Sequence, residues 1–302
     1  VIPSRPMAVS GQLPPFVQPG KLRQCLAYAL AEDLGAGDVT SQAIIPPNAT
    51  GAAAVELREA GVVAGLFVAE QVCALVDERL IVQWHCSDGE LQPGDCRLGI
   101  LHGPIRSLMA AERLVLNFLQ RMSGIATATH HMVEAVKEFP ARIRDTRKTA
   151  PGLRQLDKWA VLLGGGTNHR MGLYDRILIK DNHIATAGGL AEAVMSAARH
   201  GGGLPVDVEA RTLREVRLAL GLADHIDLVL LDNMVSLADS GAPDTTRLQA
   251  AVNLVGGKLR TEASGNVTLA TVRATAATGV DYISCGALTH SVRALDVGLN
   301  LL

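Results

Sequence analysis

Ile226-Asp227-Leu228-Val229-Leu230-Leu231-Asp232-Asn233 is the stretch on which the fold turns: an apolar run of strand length that ends on a carboxylate and an amide as the chain leaves it. The same shape recurs on both sides of it. It returns as Ile143-Arg144-Asp145-Thr146-Arg147-Lys148, Ile177-Leu178-Ile179-Lys180-Asp181-Asn182, Val206-Asp207-Val208-Glu209, Leu259-Arg260-Thr261-Glu262-Ala263-Ser264-Gly265-Asn266 and Val280-Asp281-Tyr282-Ile283-Ser284-Cys285-Gly286. Helical patterns fill the gaps, near 152–163, 188–201, 211–221, 244–255 and 268–278. Strands alternating with helices at intervals of roughly 20 to 30 residues imply right-handed βαβ units and a parallel sheet. If that sheet curls into a barrel, all the strand ends meet on one rim, where barrel enzymes carry their chemistry. Arg147, Lys148, Lys180, Glu209, Asp232, Ser264 and Asn266 would gather there. A rim with both cations and carboxylates points to an anionic substrate accompanied by a metal ion.

The chain has 302 residues, enough for an α/β barrel of about 250 residues plus a smaller domain. Hydrophobic residues make up 48% and charged residues 19%, with mean hydropathy +0.22, which suits a globular protein with a large core and excludes a disordered chain. A formal net charge of −2 provides no global attraction to nucleic acid, so anions must be held by local cation clusters. No apolar run reaches the roughly 20 residues that span a bilayer, and no signal-peptide core is visible, so no membrane partner is expected. Cys25, Cys73, Cys86, Cys96 and Cys285 form an odd set without zinc-ligand spacing, which reads as reduced thiols in a cytoplasmic protein.

Residues 1–20 are rich in proline and polar groups and read as a flexible arm. From 21 to 121 a surface helix (21–33), strands near 51–59, 61–64, 81–85 and 96–103, and a helix from 66 to 77 read as an N-terminal α+β domain, to which 292–302 return. Residues 122–291 read as the barrel. Within 105–122, Leu114, Val115, Phe118 and Leu119 form an apolar stripe, while Arg113, Asn117, Gln120 and Arg121 share the opposite, outward face. A second helix is expected from about 124 to 137.

Asp145-Thr146-Arg147-Lys148-Thr149 puts two adjacent cations at a strand end. Arginine's planar fork suits a carboxylate and lysine a phosphate, although a solvated basic loop is the plain alternative. Gly164-Gly165-Gly166-Thr167-Asn168-His169-Arg170 allows close backbone approach to a ligand, or is simply a helix C-cap. Period-two alternation sets Lys180 on the face of Leu178, Glu209 on that of Asp207, and Asp232 on that of Leu228 and Leu230. Glu209 and Asp232 could hold Mg²⁺ or ribose hydroxyls; a rim salt-bridge network is the competing reading. Ser264-Gly265-Asn266 and Ser284-Cys285-Gly286-Ala287 close the last two strands with small residues before helix starts, where backbone N–H groups bind phosphate; His290 could add a donor. His130, His131, His85, His102, His200 and His225 read as structural.

Together with Ala111-Glu112-Arg113-Leu114-Val115-Leu116-Asn117, these motifs resemble the quinolinate phosphoribosyltransferases over about residues 22–302. The resemblance implies an N-terminal α/β open-faced sandwich joined to an incomplete (β/α) barrel. It also implies transfer of phosphoribosyl from 5-phosphoribosyl 1-pyrophosphate to quinolinate with decarboxylation, using Mg²⁺. By that resemblance Arg147, His169, Arg170 and Lys180 grip the dicarboxylate, with Arg113 arriving from the other subunit of a homodimer. Lys148, Glu209 and Asp232 engage the ribosyl donor and its Mg²⁺. The 5-phosphate lies on Ser264, Gly265, Asn266 and Gly286, with Thr146, Ser284 and Cys285 completing the substrate-binding set. Lys148, Lys180, Glu209 and Asp232 are the expected catalytic group. Two readings compete. One is a Schiff-base lyase using Lys180, and the other is a phosphate-ligand binding protein without turnover.

Overall fold

The computed structural model describes residues 13–238 and 240–302. Most of the expected arm, residues 1–12, lies outside the described residues. Its remainder is ordered: Val17 is buried, and Pro19–Leu34 is helical, with proline at the start where its missing N–H costs nothing.

The chain divides into two compact units. The first takes the described residues up to His130, Ala150–Gly165 and Ser291–Leu302. Its antiparallel sheet runs in the order Val297–Leu301, Thr50–Leu57, Cys96–Pro104, Ile81–Trp84. Ala53, Val55, Leu57, Leu98 and Leu101 from the two central strands are buried, and the helix Leu66–Val76 adds Val68, Ala69 and Val72 to the core. A short helix, Val39–Ile44, was not foreseen. Asp38 caps it, its carboxylate accepting from the backbone of Thr40 and Ser41.

Two expectations fail along the helix that follows Pro104. The segment after Pro104 is one helix, Ile105–Ala135, not two. Gly124 does not break it, although a mid-helix glycine costs about 1 kcal/mol. A Cβ at that position would collide with the carbonyl oxygen of Arg293, so the glycine is what admits the returning C-terminal segment. The polar face is also not uniformly outward. Arg113 and Asn117 are exposed, but Arg121 donates two bonds of 2.8 Å to the fully buried Asp157, and Gln120 donates to the Val297 carbonyl at 2.8 Å.

The second unit, His131–Thr149 with Gly166–His290, holds six parallel strands in the order Arg142–Arg144, Tyr282–Ser284, Arg260–Ser264, Leu228–Asp232, Val206–Ala210, Ile177–Ile179. A seventh position extends the row. Thr167 bridges Arg144 in parallel, its N–H donating to the Ile143 carbonyl at 2.8 Å. Among the described residues no pairing joins Thr167 to Ile177–Ile179, so the barrel is incomplete, as expected. Leu178, Leu228 and Leu230 pack together inside it with Tyr282 against them. Each such buried leucine is worth about 1.5–3 kcal/mol.

The helix expected at 188–201 is present as Leu190–His200, and an additional short helix, Asp181–Ala187, precedes it across Gly188 and Gly189 at φ +91° and +156°. Among the described residues no helix is long and apolar enough to cross a membrane.

Candidate active site

Register explains how the strand ends meet. Glu209 pairs with Leu230 and Leu230 with Glu262; Asp232 pairs with Ser264 and Ser264 with Ser284. Paired residues in parallel strands point to the same face, so two successive rings of side chains form above Leu178 and Leu228, the lower ring including Leu230 itself. They line a cavity of about 720 Å³, within the usual size range of small-molecule sites. Thr146, Arg147, Lys148, His169, Arg170, Lys180, Glu209, Asp232, Ser264, Gly265, Asn266, Ser284 and Gly286 all face it, as does His290.

His169 and Arg170 join the others because Thr167 acts as a strand end beside Arg144. The loop after it is pinned by Asp145, fully buried, which accepts from the His169 N–H at 2.9 Å and from Asn168 Nδ2 at 2.5 Å. From the spacing alone, these two residues stood at the wrong end of the strand Ile177–Ile179.

One side of the cavity is cationic. Arg147 and Arg170 lie near enough that desolvation first, and the Arg147 charge second, press the Arg170 guanidinium below its ordinary value. Crowded cations of this kind are relieved by a bound anion. On the other side Lys180 Nζ lies 2.9 Å from Glu209 Oε2, and Asp232 accepts from Asn233 Nδ2 at 2.9 Å.

At the phosphate-type loops, Gly265 and Asn266 hold φ +91° and +54°. Their left-handed backbone turns the chain toward the helix Leu269–Ala277, which Thr268 and Thr271 cap reciprocally. A Cβ on Gly265 would collide with Asn233 Oδ1, so this glycine sustains the contact between neighbouring strand ends.

Sequence reasoning missed two charged lining residues, Arg211 and Glu262. Arg211 ion-pairs with both Glu209 (3.0 Å) and Asp232 (3.2 Å). Glu262 is wholly buried: it holds Arg144 NH1 at 2.7 Å, accepts from the Ser284 hydroxyl, and lies 3.6 Å from His169 Nε2. Arg144 also stacks over the Tyr282 ring, 3.3 Å from its centroid. A charge inside a strand followed by another at the period-two position was the available signal for Glu262.

Two expected site residues stand elsewhere. Cys285 does not face the cavity: its thiol, buried and therefore raised in pKa, points to the Val267 carbonyl at 3.5 Å, and its N–H donates to the Arg144 carbonyl. With both groups engaged it packs as a small buried hydrophobe outside the cavity lining. Arg113 belongs to the first unit, exposed on Ile105–Ala135.

The fold and this cavity together have the form of an α/β-barrel enzyme site, on an incomplete barrel, lined by both cations and carboxylates. Comparison narrows the class. Residues 38–123 match the family model of the quinolinate phosphoribosyl transferase N-terminal domain, and residues 125–300 that of the C-terminal domain. A mitochondrial quinolinate phosphoribosyltransferase (decarboxylating) 2b of Nicotiana tabacum is 47% identical over 297 residues, spanning 95% of this chain and 84% of the relative. A probable nicotinate-nucleotide pyrophosphorylase (carboxylating) of Bacillus subtilis is 41% identical and spans 93% of both chains. Among solved structures, the nicotinate-nucleotide pyrophosphorylase from Francisella tularensis superposes with TM-score 0.89 at 35% identity, covering 97% of this chain and all of that one. The chain belongs to the quinolinate phosphoribosyltransferase family.

Proposed function

We propose that this protein transfers phosphoribosyl from 5-phosphoribosyl 1-pyrophosphate to quinolinate with loss of CO₂, giving nicotinate mononucleotide and pyrophosphate. The observation that carries this reading is a single cavity lined both by Arg147 and Arg170 and by the carboxylates Glu209 and Asp232. A dicarboxylate fits the first pair. A sugar diphosphate whose anomeric carbon turns positive during transfer fits beside the second. Lys180 Nζ is engaged with Glu209 at 2.9 Å, an arrangement suited to holding an anion rather than to nucleophilic attack on a carbonyl.

In the proposed reaction the pyridine nitrogen forms a bond to the anomeric carbon while the bond to pyrophosphate oxygen breaks. Arg147, His169, Arg170 and Lys180 hold the acid so that the ring nitrogen faces that carbon, and Glu209 and Asp232 offset the positive charge that grows on the ribose. Lys148 meets the departing pyrophosphate. The ring, now cationic, accepts the electron pair left when the adjacent carboxylate departs as CO₂, and that carbon is then protonated. The 5-phosphate is held at the Gly265-Asn266 and Gly286 turns, with Thr146 and Ser284 completing the wall.

Mg²⁺ is proposed as the companion of the diphosphate. Glu209 and Asp232 offer hard oxygen donors on one wall, which fits Mg²⁺. Among the described residues no group of three or more His, Cys, Asp or Glu could hold a metal, so substrate oxygens and water would complete its shell. When bound, the ion neutralises charge on the leaving pyrophosphate.

A homodimer in which Arg113 reaches the partner's cavity is proposed from the exposure of Arg113 on its helix. Arg113→Ala and Lys148→Ala proteins, each inactive, should recover about a quarter of full activity on mixing and subunit exchange; no recovery would refute it. The cytoplasm is proposed as the compartment, supported by five free thiols; cell fractionation tests it. The reaction itself is tested by incubating the protein with quinolinate, 5-phosphoribosyl 1-pyrophosphate and Mg²⁺. Stoichiometric nicotinate mononucleotide and CO₂ are expected, and their absence would overturn the assignment.

A further inference from the structure

Arg211 stands two residues past Glu209, just beyond the strand Val206–Ala210, with its side chain on the cavity. Its guanidinium makes three ion pairs: Nη1 to Asp181 Oδ2 at 2.8 Å, Nη2 to Glu209 Oε1 at 3.0 Å and Nε to Asp232 Oδ2 at 3.2 Å. Its backbone is held at both ends. The N–H donates to Glu215 Oε2 at 2.6 Å, within the capping box of the helix Leu213–Leu220, and the carbonyl accepts from Arg247. The side chain itself is half exposed, so its anchor is rigid while its head can be displaced.

Glu209 and Asp232 are the two carboxylates assigned above to the metal and the ribose. A guanidinium and a divalent cation cannot occupy the same oxygens without strong repulsion. Asp181 differs from the other two partners: it is 55% exposed and is not part of the cavity lining, so nothing bound in the cavity need remove it from Arg211.

We propose that Arg211 is an exchangeable counter-ion that makes metal entry depend on the diphosphate substrate. Without substrate it pairs with Asp232 and shares Glu209 with Lys180. When the divalent cation arrives together with a diphosphate, the cation takes over those oxygens, and Arg211, still tethered at Asp181, turns its fork onto the diphosphate. The planar guanidinium matches pairs of phosphate oxygens. A free cation brings no anion to receive the displaced guanidinium, and Lys180, Lys148, Arg147 and Arg170 already crowd the cavity with positive charge. Free metal therefore binds poorly, and the metal–diphosphate pair binds well. The inference rests on the phosphoribosyl-transfer reading.

The test measures Mn²⁺ binding to the full-length protein with no substrate, by the loss of the free-ion electron paramagnetic resonance signal. It is paired with calorimetric titration of 5-phosphoribosyl 1-pyrophosphate in saturating Mg²⁺. Arg211→Ala should bind free Mn²⁺ at least tenfold more tightly than the unaltered protein, about 1.4 kcal/mol, while its affinity for the donor falls by a similar factor. Arg211→Lys, which retains a charge on the same anchor, should keep weak Mn²⁺ binding and lose donor affinity, which separates the effect from a folding defect. Unchanged or weaker Mn²⁺ binding in Arg211→Ala overturns the inference. If the unaltered protein forms no nicotinate mononucleotide, the functional reading fails instead, so the two failures are distinct.

Discussion

Replacing Glu262 by leucine takes the carboxylate from beneath Arg144, Ser284 and His169 while keeping most of its volume. Glu262 is wholly inaccessible and the Arg144 side chain is 13% exposed, so the arginine left behind has little access to water. Breaking such a pair costs about 3–5 kcal/mol, chiefly as the penalty of an uncompensated buried charge. Against a total stability of about 5–15 kcal/mol this is a large share. For units of this size it should lower Tm by roughly 6–20 °C. Arg144→Met alone should cost a comparable amount, because it strands the carboxylate. The double variant Arg144→Met/Glu262→Leu leaves neither charge and should return to within about 1.5 kcal/mol of the parent. Urea unfolding at pH 7 measures all four proteins, with the midpoint moving and the slope held. Additive single effects, or a Glu262→Leu loss below about 1 kcal/mol, would refute the view that this pair is held in the barrel by mutual compensation. A second readout follows from His169: Glu262→Gln, which keeps the shape, should weaken quinolinate binding, because the imidazole loses the carboxylate beside it.

Arg147→Ala should raise the KM for quinolinate by tenfold or more, on the order of 1.5–3 kcal/mol for a charge-assisted contact, whereas Asp232→Ala should act mainly on the ribosyl donor; equal effects on both substrates count against this division of the cavity. Gly265→Ala forces a side chain into φ +91° and against Asn233 Oδ1, costing about 1–3 kcal/mol. It should weaken donor binding while quinolinate binding holds, and unchanged donor affinity by calorimetry would contradict the phosphate-turn assignment. Burial pushes the Asp207 carboxyl from its ordinary 3.8 up to about 6, against the opposing charge of Arg176 at 2.7 Å, and its Oδ2 is buried with no hydrogen-bond partner among the described residues. Between pH 3.8 and 6 the folded protein therefore binds more protons than the unfolded chain, so this group's contribution to stability falls as pH rises through that window, by on the order of 3 kcal/mol in all. Asp207→Asn should flatten that part of the stability–pH curve; an unaltered slope would show that Asp207 does not titrate there.

The chain itself determined the βα repeat, because an apolar run halting on a polar residue is a local pattern that strand geometry converts directly into a rim. The same pattern named Lys180, Glu209 and Asp232 as neighbours, since period two sets their face irrespective of what surrounds them. The caps and breaks depended on non-local contacts. Gly124 reads as the start of a second helix until the Arg293 carbonyl is seen to need its space, and His169 reads as lying below the barrel until Thr167 pairs with Arg144. Glu262 and Arg211 were hidden for the same reason. The worth of Glu262 comes from Arg144, 118 positions away, and that of Arg211 from Asp181 and Asp232 on other strand ends. Charge compensation depends on distance in space and on exclusion of water. Those quantities exist only once the sheet has curled, so local patterning could identify the rim while the pairing of its charges belonged to the tertiary structure.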